Sequence, residues 1–148
     1  MEILQNVRDA LKVECEALSE LVSRVDGACE RAVMLLHGCA GRIIVTGMGK
    51  TGLIGRKIAA TFSSVGIPAV FLHAGEATHG DLGIVSGDDV VVAVSNSGET
   101  REIVELLPHL KRLHTPIIAL TGATSSTLAR QSDAVIDVGV RREADPLG

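Results

Sequence analysis

The stretch that decides the fold is Gly41–Gly55, GRIIVTGMGKTGLIG. It begins with an apolar run, Ile43–Val45, passes through a glycine-rich turn at 47–52, and continues with the apolar spacing of a helix. A strand that ends in a glycine turn before a helix leaves backbone N–H groups free and directs the positive end of the helix dipole at the same place. The stretch therefore predicts an anion-binding site, to which Lys50 adds a positive charge.

The remainder of the chain repeats this strand, loop and helix pattern. The third strand, Val90–Val94, is a nearly continuous β-branched run, typical of a parallel strand buried on both faces. Five such units predict a three-layer α/β/α sandwich with a parallel sheet, for which 2-1-3-4-5 is the commonest compact order. Strands 1 and 3 are neighbours in that order, so we expect the loops that follow them to form the site. We predict strands at about 42–46, 69–73, 90–95, 116–121 and 134–138, and helices at about 51–65, 99–113 and 125–131.

Ahead of the sheet, residues 2 to about 39 carry helical periodicity, with a break near Asp26 and Gly27. We interpret the chain as a single domain in which an N-terminal helical hairpin (1–39) precedes an α/β core (40–148). Two roles for the hairpin are open: it covers one face of the sheet, or it contacts another subunit. Its first apolar stripe consists of Ile3, Val7, Leu11, Leu18, Leu21, Val22 and Val25, and its second of Ala28, Ala32, Val33 and Leu36.

Composition and charge exclude several classes of protein. A net charge of −4, a pI near 5.7 and 1% aromatic residues provide neither a basic face for a nucleic-acid backbone nor rings for base stacking. No apolar run is long enough to span a membrane. The three cysteines lack C-x-x-C spacing and no signal peptide precedes them, so we expect reduced thiols and a cytoplasmic protein.

The glycine-rich turn partly matches two nucleotide-binding motifs. Gly47, Gly49 and Gly52 satisfy G-x-G-x-x-G, but a dinucleotide site also needs an acidic residue near the end of the second strand, where this chain has VFLH at 70–73. A P-loop needs a glycine five residues before Gly49, and Ile44 occupies that position. Neither motif is complete, so the sequence does not indicate a nucleotide.

The second loop, SNSGET at 95–100, leaves the most buried strand and enters a helix. Three hydroxyls and an amide on a turn with free N–H groups suit a small phosphate, which needs many short donors and few charges. The alternative is helix capping, since Asn96 or Ser97 is a good N-cap and Asn96-x-x-Glu99 imitates a capping box. We favour the phosphate site because a cap needs only one hydroxyl. A serine hydrolase is not indicated, because the G-x-S-x-G motif is absent.

Five motifs together resemble the SIS (sugar isomerase) domain of the D-arabinose-5-phosphate isomerase family, over almost the whole chain. They are GMGKTG at 47–52, HGD at 79–81, SNSGET at 95–100, TG at 121–122 and EADPLG at 143–148. The resemblance implies interconversion of D-arabinose 5-phosphate and D-ribulose 5-phosphate, a step toward the sugar Kdo of Gram-negative lipopolysaccharide. It implies no metal and no organic cofactor.

The resemblance also implies roles for residues at matching positions. The implied substrate-binding set consists of Gly49, Thr51, Ser95, Asn96, Ser97, Gly98 and Thr100. The implied catalytic set consists of Lys50, His79, Glu102 and Glu143. Asp145 stands where the family usually has cysteine, and the family's chain continues through a further helix, another active-site histidine and commonly two CBS domains. We therefore interpret the sequence as a shortened SIS domain.

The residue types fit this chemistry. Aldose–ketose isomerisation through an enediol needs a base that moves a proton between adjacent carbons and a positive group for the developing oxyanion. A carboxylate supplies the base, and Lys50 stabilises the oxyanion or neutralises phosphate. Each assignment has a structural alternative. The helix dipole favours an acidic residue such as Glu102 in a first helical turn, whatever its function. On the same view, Lys50 would only be exposed to solvent, and His79 would cap the short segment that begins at Gly75. The spacing Glu76-x-x-His79 imitates a metal pair, but no other ligands accompany it.

Three classes of function are open: an isomerase, a sugar-phosphate sensor with weak or no turnover, and a structural oligomerisation module. A phosphate site at residues 95–100 is compatible with both of the first two. We expect Glu143 to lie in the loop after the fifth strand, at the same sheet edge as both anion loops. We also expect a homo-dimer or tetramer, because the chain supplies no helix for the flank of the last strand.

Overall fold

The computed structural model describes residues 2–78 and 80–145. The five predicted strands and three core helices are present, with ends within a few residues of the expected ones. A four-residue helix and a 3-10 turn at Asp81–Ile84 were not predicted, because such short segments show no periodicity. The helices are α1 (Glu2–Arg24), α2 (Gly27–His37), α3 (Gly49–Ser64), α4 (Ala74–Ala77), α5 (Arg101–Arg112) and α6 (Thr127–Gln131), and the strands are β1 (Ile43–Gly47), β2 (Ala69–His73), β3 (Val90–Val94), β4 (Ile117–Thr121) and β5 (Ala134–Asp137).

The five strands form one parallel sheet in the order β2-β1-β3-β4-β5, which confirms the prediction. The register places Gly47 at the end of β1 between His73 of β2 and Val94 of β3. The carboxyl ends of these strands therefore lie together at one edge of the sheet, which we call the carboxyl edge; the opposite edge is the amino edge. The loops after β1 and β3 leave the carboxyl edge side by side, as the strand order predicts.

Two apolar layers cover the sheet, and all five residues of β3 are buried between them. One face packs against α4 and α5, where Ile103, Leu106 and Leu107 are almost fully buried. The other face packs against α2 and α3 through Ala32 and Ala59. The molecule is thus the predicted three-layer sandwich.

The amino edge is closed by a polar network around Asp89. This carboxylate is 2% exposed and accepts hydrogen bonds from the Arg42 N–H (2.7 Å), the Ser86 N–H (2.8 Å) and the Ser86 hydroxyl (3.1 Å). Thr115 joins the network by donating to the Ser86 carbonyl (2.9 Å). Burial by itself raises the pKa of Asp89, but the hydrogen bonds from Arg42 and Ser86 outweigh it, so the pKa lies below its usual value. The network joins the segments that precede β1, β3 and β4.

The N-terminal region consists of two helices with the predicted break between them. Asp26 caps α2 by accepting a hydrogen bond from the Ala28 N–H (2.8 Å). Ala32 of α2 is buried against the sheet, whereas no residue of α1 is buried. Covering the sheet is therefore a role of α2 and not of α1.

The segment 138–145, which we call the strap, connects α1 to the end of the sheet. Arg24 donates to the Gly139 carbonyl (2.6 Å) and pairs with Asp137 at the end of β5 (3.4 Å). Two further ion pairs continue along α1: Arg141 with Glu20 (3.1 Å) and Arg142 with Glu16 (3.7 Å). Within the described ranges, no helix is both long and apolar enough to cross a membrane.

Candidate active site

The first wall of the candidate site is the turn between β1 and α3. Gly49 has a φ of +52°, a conformation that favours glycine, and α3 begins there, two residues earlier than predicted. The Thr51 hydroxyl donates to the Met48 carbonyl (2.8 Å) and accepts from the Met48 N–H (3.3 Å). Because Thr51 closes the turn in this way, the exposed Lys50 is the polar group that the turn presents to a ligand.

The second wall is the loop between β3 and α5, residues 95–100, which we call the serine loop. The Ser95 side chain is buried: its hydroxyl lies 2.8 Å from the Thr100 hydroxyl and accepts a hydrogen bond from the Gly98 N–H (3.1 Å). The Ser97 hydroxyl accepts from the Glu99 N–H (3.2 Å), and both Asn96 and Ser97 are exposed. The loop is thus held from within by Ser95 and Thr100 and presents Asn96 and Ser97 outward.

The structure decides against the capping alternative for the serine loop. α5 begins at Arg101 with Thr100 at the N-cap position, and the Thr100 side chain makes no capping hydrogen bond. Asn96 and Ser97 lie too early to be its N-cap, and the Glu99 carboxylate accepts from the Thr127 N–H of α6 (2.6 Å) instead of closing a capping box. The uncapped N-terminus of this twelve-residue helix follows directly from the loop, where its free N–H groups and dipole favour an anion.

Of the four predicted catalytic residues, two lie beside the loops. Lys50 is the second residue of α3, and the half-buried Glu102 is the second residue of α5, so each stands in the first turn of a helix that leaves the carboxyl edge. His79 and the PLG sequence at 146–148 lie outside the described residues.

Glu143 lies elsewhere than expected. The strap carries it away from the end of β5 and along α1, where it lines a groove of about 300 Å³ together with Asn6, Asp9 and Val13 of that helix. No residue of the serine loop or of the 47–52 turn lines this groove. The expectation that Glu143 lies beside the loops at the carboxyl edge is not met in the single chain, where the strap that carries it pairs with α1 through Arg141 and Arg142. Its predicted catalytic role stays a prediction.

Sequence reasoning missed two features of this edge. His73, at the end of β2, lies beside Gly47 and against Gly75, and its Nδ1 is buried without a hydrogen-bond partner among the residues that the structure describes. The segment 121–128 packs behind the serine loop, and only its TG dipeptide belongs to a predicted motif. One signal for the second feature was Ser126, a helix N-cap that follows a strand and turn.

Among the described residues, no group of three or more His, Cys, Asp or Glu side chains could hold a metal ion.

These features define a class of protein: a doubly wound α/β domain with a hydroxyl-rich loop where the strand order reverses. A family model for the SIS domain matches residues 37–147. The chain therefore belongs to the SIS domain family, as the resemblance predicted.

Curated relatives are similar in sequence to nearly the whole of this chain. The arabinose 5-phosphate isomerase KdsD of Escherichia coli O6:H1 (strain CFT073) is 50% identical over 141 residues, which make up 95% of this chain and 43% of that protein. KdsD of Pseudomonas aeruginosa is 43% identical over 147 residues, or 99% of this chain and 45% of that protein. This chain thus spans less than half the length of these curated relatives.

The fold also matches a solved structure. The E. coli CFT073 protein c3406, in complex with arabinose 5-phosphate, is 39% identical, with a TM-score of 0.93 over 99% of this chain and 78% of that one. The sheet and the helices of this chain are therefore arranged in three dimensions as they are in that structure.

Proposed function

We propose that this chain is a sugar-phosphate isomerase domain that interconverts D-arabinose 5-phosphate and D-ribulose 5-phosphate. The observation that carries the proposal is the serine loop, whose exposed hydroxyl and amide groups adjoin the uncapped N-terminus of α5. Such a site suits a phosphate group, because a dianion is best bound by several short donors at a helix N-terminus. The names of the relatives, which are arabinose 5-phosphate isomerases, support this choice of sugar.

The proposed mechanism proceeds through an enediol. A base removes the proton from C2 of the aldose, and a proton is added to C1. At the same time the C2 hydroxyl loses its proton and the C1 carbonyl oxygen gains one. Lys50 supplies positive charge for the oxyanion that develops, and its exposed position on the first turn of α3 suits this role. Glu102 is the carboxylate best placed to act as base, since it follows the serine loop by two residues. His79 is the alternative base or the acid–base group for the oxygens.

We propose that the reaction takes place in the cytoplasm and contributes to Kdo and lipopolysaccharide synthesis. The second part of this proposal rests on the identity of the curated relatives, and the first on the three free cysteines. No metal or organic cofactor is part of the proposed mechanism, because proton transfer and charge stabilisation by side chains suffice for an enediol reaction.

We also propose that the chain forms a homo-dimer or tetramer through α1. Leu4, Leu11 and Leu18 recur every seven residues along α1 and are each 56–64% exposed, Val7 and Leu21 lie at the intermediate positions, and Val25 follows the helix at the same spacing. Apolar residues at this spacing form the seam of a helix pair, which removes them from water. Because Glu143 lies against the same helix, pairing of α1 would bring Glu143 closer to the site of a second subunit.

Sedimentation velocity at micromolar concentration tests the association. We expect the unmodified chain to sediment as a dimer or larger species and a Leu11→Glu, Leu18→Glu variant as a monomer, because two buried charges oppose the seam. Ser19→Glu, an exposed change on the same helix, is the control and is expected to leave the assembly intact. A monomeric unmodified chain contradicts the proposal.

A second candidate function, a sugar-phosphate sensor, is favoured by the position of Glu143 away from the serine loop. The two functions are separated by one pair of measurements on the chain. An NMR titration with D-arabinose 5-phosphate measures binding, with unphosphorylated D-arabinose as control, and exchange of the C2 proton in D₂O measures turnover. Binding with exchange supports the isomerase. Binding without exchange supports the sensor, and failure to bind the phosphorylated sugar contradicts both.

A further inference from the structure

The serine loop is fastened to the segment 121–128 behind it by backbone contacts at both ends. Near its start, the Asn96 carbonyl accepts hydrogen bonds from the Gly122 N–H (3.0 Å) and the Thr121 hydroxyl (3.2 Å). Near its end, the Gly98 carbonyl accepts from the Leu128 N–H (3.1 Å). A loop secured in this way keeps its donors in one arrangement before a ligand arrives, which lowers the entropy lost on binding.

Glu99 is the side chain of the serine loop that crosses to that segment. Its Oε1 accepts a hydrogen bond of 2.6 Å from the Thr127 N–H at the start of α6. The Thr127 backbone, the Thr127 side chain and the charge of Arg130 hold the pKa of Glu99 below its usual value. A negative charge beside a phosphate site opposes binding, and this contact directs the charge away from the loop's outer face toward a helix N-terminus and an arginine.

The Ser126 cap of α6 does not use the Thr127 N–H. Ser126 is already the N-cap, and its hydroxyl accepts from the Ala129 N–H (3.3 Å). The fit between the two segments is also close, because a β-carbon at Gly98 would overlap the Ser126 hydroxyl, and Gly98 has a φ of +62°. Glu99 therefore satisfies the first N–H of α6, which Ser126 leaves free, and by the same hydrogen bond connects α6 to the serine loop.

We infer that Glu99 is a positioning residue for phosphate binding, whose hydrogen bond to Thr127 keeps the serine loop in the conformation that binds the anion. The inference rests on the proposed function, since it assigns to Glu99 a role in that same site. Glu99 itself does not touch the phosphate; it acts through the arrangement of Ser97, Gly98 and Thr100. Its loss is expected to lower the fraction of molecules with a competent loop, and apparent affinity falls in proportion to that fraction.

Three variants of this contact and two controls test the inference. Glu99→Ala removes the acceptor, and Glu99→Gln keeps an oxygen that can accept from Thr127. Thr127→Pro removes the donor at the first position of α6, where proline fits a helix, and the preceding Ser126 is extended (ψ 167°) as proline requires. Thr127→Ala keeps the N–H and removes only the hydroxyl, so it separates the backbone donor from the Thr127 side chain, and Glu105→Ala removes a carboxylate that pairs with Arg101 along α5.

The readouts are the dissociation constants for inorganic phosphate and D-arabinose 5-phosphate, with the melting temperature measured alongside. We expect Glu99→Ala and Thr127→Pro each to weaken binding about fivefold, the effect of one hydrogen bond on loop order. Glu99→Gln and both controls should stay within about twofold of the unmodified chain. Where turnover is measurable, KM should rise with little change in kcat, because the reacting carbons are not contacted.

The double variant Glu99→Ala, Thr127→Pro provides a thermodynamic cycle. If the two groups act through one hydrogen bond, the double variant binds phosphate no more weakly than either single variant. Fully additive losses, unchanged affinity in Glu99→Ala, or equal losses in Glu99→Ala and Glu99→Gln each overturn the inference. An unmodified chain that binds neither phosphate nor sugar phosphate overturns the proposed function itself, and is thereby distinguished from these outcomes.

Discussion

The two edges of the sheet both carry polar side chains between glycine-containing turns, yet they differ in what those side chains contact. At the amino edge, Asp89 is buried and receives three hydrogen bonds from Arg42 and Ser86. At the carboxyl edge, Lys50, Asn96 and Ser97 are exposed. The amino edge satisfies its polar groups internally, whereas the carboxyl edge leaves donors directed at solvent.

The difference separates polar groups that hold the fold from polar groups that are available to a ligand. A buried carboxylate with several hydrogen bonds stabilises the chain, because losing it would leave partly buried donors without their acceptor. Exposed donors beside two helix N-termini contribute little to stability and are free to bind an anion. Ser95 is intermediate between these two kinds of group. Its hydroxyl is buried and bonded to Thr100 and Gly98, so it holds the loop in place but is not itself exposed to a ligand.

The largest expected effect is on turnover, at the carboxyl edge. Lys50→Met should lower turnover of D-arabinose 5-phosphate by roughly a hundred- to a thousandfold, because one preorganised group for a developing oxyanion is worth that much. The melting temperature should hardly change, since Lys50 is exposed. Lys57→Met on the same helix is the control. A variant that unfolds, or that keeps full activity, contradicts the assignment.

The largest effect at the amino edge is on stability. Asp89→Ala should lower the free energy of unfolding by about 2–4 kcal/mol, because it leaves the Arg42 and Ser86 N–H groups without their acceptor. Denaturant unfolding measures this change, with the exposed Asp88→Ala as control. Phosphate affinity of the folded variant should be unchanged. Weakened binding in folded protein would show that the two edges are not independent.

A smaller effect is expected from the serine loop. Ser97→Ala should weaken phosphate binding by about tenfold, since one hydrogen bond to a charged group contributes about 1.5 kcal/mol or more. Adding Ser95→Ala should weaken it further, because Ser95 holds Gly98 and Thr100 in place. Calorimetric titration measures both, and Ser64→Ala, an exposed serine of α3, is the control. Unchanged affinity in the double variant means that the phosphate binds elsewhere.

The smallest effect concerns acid pH. The pKa of Asp89 is lower in the folded chain than in the unfolded one, so its stabilising contribution is present above the unfolded value, near 4, and is lost as the pH falls toward the folded value. Asp89→Asn cannot titrate. Its melting temperature should therefore decline less between about pH 5 and pH 3 than that of the unmodified chain. Parallel declines would assign the acid sensitivity to other carboxylates.

Local patterns in the sequence predicted most of the fold. Apolar runs such as Val90–Val94 and the glycines at 47–52 identify strands and turns directly, and the α/β alternation then leaves few compact strand orders. The serine loop was recognisable for the same reason, because its hydroxyls are close together in the chain. His79 lies outside the described residues, so its predicted role stays a prediction.

What the sequence determined by itself was therefore the sheet, its order and the two loops at its carboxyl edge, because each depends on residues close together in the chain. Only the tertiary structure decided how those residues are used. Glu99 reaches Thr127, 28 positions away, rather than its own helix. Glu143 lies along α1, beside Arg141 and Arg142, which pair with Glu20 and Glu16 more than a hundred residues earlier. Contacts at such separations depend on the packed arrangement of whole elements, and no local pattern specifies which partner a charged side chain will find.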